Sequence, residues 1–353
     1  MIATYEPDGP IPVAVAGATG GVGQRFVSLL EAHPWFELVA LAASEHSAGR
    51  PYGEVVRWSL PGPLPARAAG MEVLPAGPDI PGRLVFSALD AAVAGAIETE
   101  LARGGKLVVS NAKSHRMDPA VPLLVPEVNP GHLALCERQD FGAGRIVTNP
   151  NCSTIALALA LKPLCDAFGL RAVHVVTLQA LSGAGLSGPT GFEMTDNVIP
   201  YIEGEEPKIE TETLKVLGEL GDDGLHAAEL RLSATCNRVP VVDGHTLCVS
   251  VELGREADAA DLIEAWSSFR SDPQHIGLPS APARPTLYLA APDAPQPRRH
   301  RDLERGMATV IGRLRRCPVL QWKFVALGHN TLRGAAGGSI LAAELAVARG
   351  CLA

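Results

Sequence analysis

The chain has 353 residues, with 30 Lys and Arg against 38 Asp and Glu for a net charge of −8, and 47% of its side chains are hydrophobic. That length suggests two domains, each able to bury its own core, and the apolar fraction excludes a disordered chain. The acidic balance, with no basic stripe beyond Arg298-Arg299-His300-Arg301, argues against nucleic acid and favours a small-molecule partner. No apolar run approaches the ~20 residues a bilayer crossing needs, and the start Met1-Ile-Ala-Thr-Tyr-Glu-Pro7 has no basic or apolar signal region. A cytoplasmic protein is expected. The seven cysteines are odd in number, scattered and without a C-x-x-C pair, so neither a disulfide framework nor a metal site is expected.

In chain order, Ile11 to Ala16 reads as a strand, Gly17-Ala-Thr-Gly-Gly-Val-Gly23 as a glycine turn, and Val22, Phe26, Val27, Leu29 and Leu30 as the apolar stripe of a helix. A second strand, Phe36 to Ala43, completes a βαβ unit. Further strands are predicted at Arg83–Ser87, Lys106–Val109, Leu123–Val125 and Arg145–Thr148, with a helix from Ala91 to Arg103. These give a parallel-sheet α/β domain over residues 1–151. Asn149-Pro-Asn-Cys-Ser-Thr154 then opens a helix from Ile155 to Phe168. Beyond it, strands at Val173–Gln179, Glu229–Cys236, Thr246–Leu253 and Thr309–Arg316 are not interleaved with regular helices, which predicts a mixed sheet in an α+β domain over residues 152–326. The Pro-rich stretch Leu278 to Pro297 reads as an extended loop or arm. Gly334 to Arg349 reads as a helix returning to the first domain, which residues 327–353 would complete.

Three constellations could carry chemistry. The glycine turn offers backbone N–H groups to a pyrophosphate at a helix N-terminus. Where an acidic residue would receive an adenosine ribose, Ser44-Glu-His-Ser-Ala-Gly-Arg50 offers hydroxyls and an Arg, which suits a 2′-phosphate and hence NADP. Cys152 sits between a Pro-Asn turn and a helix start, where the dipole favours thiolate. Arg238 and His245 flank a turn at Asp243-Gly244, but ten histidines are present and residue chemistry alone does not choose among them. Arg116 follows a strand end, where open α/β sheets bind ligands, while Glu212 and Lys215 read more readily as a surface i,i+3 pair than as a site.

Taken in order, these segments resemble the aspartate-β-semialdehyde dehydrogenase family, in its archaeal and fungal branch. The likeness also rests on Ser110-Asn-Ala-Lys-Ser-His-Arg116, Val125-Pro-Glu-Val-Asn129, Gln179-Ala-Leu-Ser-Gly-Ala-Gly185, Arg238-Val-Pro-Val-Val-Asp-Gly-His245 and His329-Asn-Thr-Leu-Arg-Gly-Ala-Ala-Gly-Gly338. It implies a Rossmann-type domain joined to a catalytic and dimerisation domain in a homodimer or homotetramer. The implied activity is NADP-dependent reduction of β-aspartyl phosphate to the semialdehyde through a cysteine thioester, in the aspartate-derived biosynthesis of lysine, threonine and methionine. Cys152 would be the nucleophile, His245 the acid/base and Gln179 the residue orienting the acyl group. Arg238 would bind the substrate carboxylate and Glu212 its ammonium, with Arg116, Lys215 and Asn151 at the phosphate. Gly17, Thr19, Gly20, Gly21, Val22, Ser44, Ser47, Ser182, Gly183 and Asn330 would hold NADP. The sequence departs from the family at His46, where many relatives carry Arg, and in the run after Gly185. An acyl-CoA reductase of malonyl-CoA type and a silent dinucleotide-binding protein remain alternative readings.

Overall fold

The computed structural model describes residues 5–186 and 188–352, so Met1–Thr4, Ser187 in the loop after Gly185, and Ala353 lie outside the described residues. The first sheet contains β1 (Ile11–Ala16), β2 (Phe36–Ala43), β3 (Val73–Pro75), β4 (Leu84–Ser87), β5 (Leu107–Ser110) and β6 (Arg145–Thr148). Their spatial order is β3-β2-β1-β4-β5-β6 and every pairing is parallel. Parallel sheets are covered on both faces, which is why β4 and β5 are apolar up to their closing serines, Ser87 and Ser110, and every residue in them is buried.

Alternation along the strands divides two cores. Val13, Val15, Leu41, Phe86 and Val109 face the helix Gly21–Leu30 through Phe26 and Val27, and also the C-terminal helix Gly337–Ala348 through Ile340 to Val347. Ala14, Ala16, Ala42, Val85 and Val108 face Leu101 and Ala102 of the helix Ala91–Arg103. The last helix therefore packs on the first sheet, as its small residues suggested.

The second sheet is mixed, in the order β10-β7-β11-β14-β13-β12. It contains β7 (Leu170–Gln179), β10 (Arg231–Arg238), β11 (His245–Leu253), β12 (Thr286–Leu289), β13 (Thr309–Arg316) and β14 (Trp322–Gly328), while β8 (Glu219–Gly221) and β9 (Gly224–His226) form a separate ribbon. Val173, Val175, Leu247, Val249 and Val251 pack against the helices Cys152–Phe168 and Ala259–Ser268. The alternate residues present an open face, on which Val176 pairs with Cys248, Leu178 with Thr246 and His174 with Ser250.

Several expectations need correction. Leu123–Val125 makes one isolated bridge, Leu123 to Thr148, and no strand. The Pro-rich stretch contains β12, because the prolines at 285 and 292 flank Thr286-Leu-Tyr-Leu289 without interrupting it, and the segment pairs in parallel with β13. β3, β8 and β9, at three residues each, are too short to be read from the sequence, and the apolar run of β14, Trp322-Lys-Phe-Val-Ala-Leu-Gly328, was missed. The division at 326/327 cuts β14, whose final residues Leu327 and Gly328 pair with β11. The C-terminal helix begins at Gly337, after a wider turn over Leu332–Ala336. Among the described residues no helix is long and apolar enough to cross a membrane.

Candidate active site

The register of the second sheet brings its polar residues to one end. Gln179 closes β7, Arg238 closes β10 directly beside it, and His245 opens β11 opposite Gly328, the last residue of β14. Cys152 arrives from the first sheet, as the first residue of the helix that follows β6. Asn151 caps that helix, its Oδ1 accepting from Ser153 N at 2.9 Å and Thr154 N at 3.3 Å. Cys152 Sγ then lies 3.2 Å from His245 Nε2. This closeness needs glycine on the neighbouring turn, since a Cβ on Gly334 would stand 2.6 Å from the Cβ of Cys152.

The cysteine opens into a cavity of about 1110 Å³ lined by loops from both sheets. Burial, aided by the nearby Glu205, pushes its thiol up to about 12, against the pull of Arg116, the Ser153 N–H and Arg238. The helix start alone does not set the thiol, contrary to the expectation from position. Burial also lowers His245, to about 3, with Arg238 and His329 acting in the same direction. Both shifts act toward the neutral form of the group.

Arg238 donates from Nη1 to Ala180 O at 2.7 Å and lines the cavity. Arg116 also lines it, while Nη1 pairs with Glu212 at 2.9 Å and Nη2 donates to Asn111 O at 2.8 Å. The expectation for Glu212 and Lys215 is corrected here. Glu212 is buried and occupied by Arg116 and the Asn151 N–H, at 2.6 Å. Lys215 Nζ donates to the carbonyls of Arg116, Asp118 and Val121 at 2.7, 2.7 and 3.0 Å, which uses all three of its hydrogens. Neither residue lines the cavity. Two turns earlier on the same helix, Glu205 and Lys208 do, and Glu205 Oε1 accepts from Asn151 Nδ2 at 2.7 Å. Gln179 is also off the cavity wall, buried with its Nε2 donating to Thr177 Oγ1 at 3.2 Å.

On the other side, Gly21, Val22 and Arg25 of the first helix line the cavity, with Ser182, Gly183 and Asn330 across from them. Asn330 Nδ2 donates to Ser182 Oγ at 2.7 Å and its Oδ1 accepts from Gly244 N at 2.8 Å. A Cβ on Gly21 would meet nothing, and Gly20 gives the helix no side-chain cap, so the turn leaves open amides and space for a pyrophosphate. Gly17, with φ 81°, approaches so closely that a Cβ would lie 2.4 Å from Ala88 O. Gly17, Thr19 and Gly20 form this turn beneath the cavity wall. Ser44 and Ser47 follow β2 in the loop beyond the lining, with Ser44 exposed. Sequence reasoning missed the segment Ser59 to Pro61, which lines the cavity and is held by Ser59 N–H donating to Gln24 Oε1 at 2.8 Å. The residues present fit a dinucleotide.

A parallel dinucleotide-binding domain whose cavity meets a cysteine at the start of the helix after its last strand and a histidine from a mixed sheet defines a cysteine-dependent aldehyde oxidoreductase. The chain belongs to the semialdehyde dehydrogenase family: residues 12–136 match its NAD-binding domain model and residues 161–333 its dimerisation domain model. It is 50% identical to the aspartate-semialdehyde dehydrogenase of Methanothermobacter thermautotrophicus over 342 residues, covering 95% of this chain and 98% of the relative. It is 49% identical to that of Cryptococcus neoformans over 363 residues, covering 98% and 100%. The Candida albicans aspartate-semialdehyde dehydrogenase solved with NADP superposes with a TM-score of 0.89 at 39% identity, covering 97% of this chain and 99% of that one.

Proposed function

We propose that the protein is an NADP-dependent aspartate-semialdehyde dehydrogenase that reduces β-aspartyl phosphate to the semialdehyde and phosphate, within amino-acid biosynthesis in the cytoplasm. The observation that carries this reading is the 3.2 Å approach of Cys152 Sγ to His245 Nε2 at the floor of a cavity with cationic walls. Cys152 attacks the acyl carbon, phosphate departs, and the acyl group is left as a thioester on the enzyme. The nicotinamide, when bound, supplies hydride to that acyl carbon. Arg238 clamps the substrate carboxylate with a planar fork, and Glu205 receives the ammonium group. Lys208 and Arg116 hold the phosphoryl oxygens, so Lys208 takes the role expected of Lys215 and Glu205 that expected of Glu212. Gln179 acts from behind, at the strand end, while Asn151, on the cavity wall, positions the Glu205 carboxylate. The glycine turn, Ser182, Gly183 and Asn330 line the dinucleotide path, and Ser44 and Ser47 sit beyond it toward the adenosine end. Copies of the chain associate as a homodimer or homotetramer.

The test is a steady-state assay with aspartate semialdehyde, phosphate and NADP, alongside NAD and acyl-CoA arms. Turnover with phosphate and NADP, abolished in Cys152→Ser while NADP affinity is kept, supports the reading. Turnover of an acyl-CoA without phosphate, or retained activity in Cys152→Ser, overturns it.

A further inference from the structure

Arg25 is the only charged residue of the helix Gly21–Leu30, and it lines the cavity beside Gly21 and Val22, where the glycine turn ends. Its Nε donates to Thr331 Oγ1 at 3.2 Å. Nη2 stands 3.9 Å from Asp243 Oδ2, close enough for attraction between charges and too far for a hydrogen bond. Among the described residues, then, four of its five guanidinium hydrogens have no acceptor, although only 17% of the side chain is exposed. Burial works against the charge, as does Arg301, while Asp243 and Asp302 support it. A guanidinium keeps its proton under such conditions. The result is a partly desolvated cation whose donors are mostly unspent, on the wall where the open amides of the turn stand.

Asp243 does not depend on Arg25 for its place. Arg301 Nη1 donates to Asp243 O at 3.1 Å, and the next residue, Gly244, donates its N–H to Asn330 Oδ1 at 2.8 Å. Both contacts hold the turn by its backbone and leave the Asp243 carboxylate to Arg25. An ion pair this long, at the edge of a cavity, is worth little and is readily given up. The other cations on the cavity wall come from elsewhere: Lys113 and Arg116 follow β5, Lys208 lies on the helix Glu205–Val216, and Arg238 ends β10. None of them belongs to the glycine turn or to its helix.

We infer that Arg25 is a cofactor-binding residue, which donates its unspent N–H groups to the pyrophosphate of NADP and exchanges the weak attraction of Asp243 for that contact. Phosphate oxygens are the acceptors a planar guanidinium fork matches best, and a charge-assisted contact of this kind outweighs a long, half-solvated ion pair. Thr331 already holds Nε, so part of the freedom of this long side chain is lost before the dinucleotide arrives. Asp243 competes for the same cation, and the two partners of the ion pair therefore act on cofactor affinity with opposite sign. The inference rests on the NADP part of the function proposed above and is independent of the acyl substrate.

The experiment is isothermal titration of the full-length enzyme, without acyl substrate, using NADPH and, separately, adenosine 2′-phosphate, which lacks the pyrophosphate. Arg25→Met should weaken NADPH binding by about tenfold to a hundredfold, the range of a charged hydrogen-bonding contact, and leave adenosine 2′-phosphate unchanged. Arg25→Lys, which keeps the charge but loses the fork, should recover part of the loss. Asp243→Asn removes the competing carboxylate and should tighten NADPH by about two- to fivefold. Unchanged NADPH affinity in Arg25→Met overturns the inference, and so does an equal loss for adenosine 2′-phosphate. Weaker NADPH binding in Asp243→Asn overturns it as well, since the pair would then be a latch between the two sheets. Where Arg25→Met does not fold, by circular dichroism, the sign of the Asp243→Asn effect decides. Wild-type enzyme that binds no NADPH refutes the NADP reading itself, whereas a failed acyl-phosphate assay leaves these affinities standing.

Discussion

Glu205 and Lys208 are repeated seven positions later as Glu212 and Lys215, so the helix Glu205–Val216 carries the same pair of charges twice, two turns apart on nearly the same face. Charge and spacing alone cannot tell the copies apart, and the family likeness directed the sequence reading to the second. The distinguishing signal is position. The first copy lies in the opening turns of the helix, beside Asn151, while the second lies under the loop that carries Arg116. Cys152 and Arg238 were legible because turn, helix start and strand end mark them, whereas the shape of a buried loop has no such mark. Two lysine variants separate the roles. Lys208→Met should raise KM for phosphate about tenfold, roughly 1.4 kcal/mol of binding, with little change in denaturant midpoint. Lys215→Met should leave three carbonyls short of a donor and lower stability by about 1–3 kcal/mol, measured by urea unfolding.

At the scale of elements, the site is assembled from strand ends and one helix start. The first sheet was legible almost strand by strand, because continuous apolar runs between glycine turns admit few other readings. The second sheet was harder. β7 and β11 alternate between buried and more open residues, and β14, which is buried at every position but Lys323, pairs with a strand more than seventy residues away. The wide turn at Leu332–Ala336 that brings Gly334 against Cys152 had no sequence signal beyond its small residues. That contact is testable. Gly334→Ala places a methyl inside the contact distance of the Cys152 side chain. It should lower kcat through displacement of the cysteine and cost about 1–3 kcal/mol of stability, as overpacking does. Wild-type kcat and unfolding midpoint in this variant would contradict the close approach.

At the scale of the whole molecule, burial of neutral histidines makes the fold acid-sensitive. Burial holds His245 down to about 3 and His329, beside Asp243, Arg25 and Asp302, down to about 4. Both groups bind more protons in the unfolded chain, so their contribution is complete above the ordinary histidine range and is lost as pH falls through it toward the folded values. The melting temperature should therefore drop between about pH 6.5 and 4, and drop less in His329→Gln. The open face of the second sheet carries a separate expectation. Val176 and Leu178 stand on it beside Cys248, both only half-buried. Val176→Asp should shift sedimentation toward the monomer, and an unchanged oligomer would move the association surface elsewhere. The strand register described above has one more consequence. Because β7 pairs with both β10 and β11, a slip of one residue along β7 would turn Gln179 to the opposite face and part Ala180 from His245. Recovered turnover on refolding is therefore a chemical signature of correct alignment among three strands, which helical content measured by circular dichroism cannot distinguish.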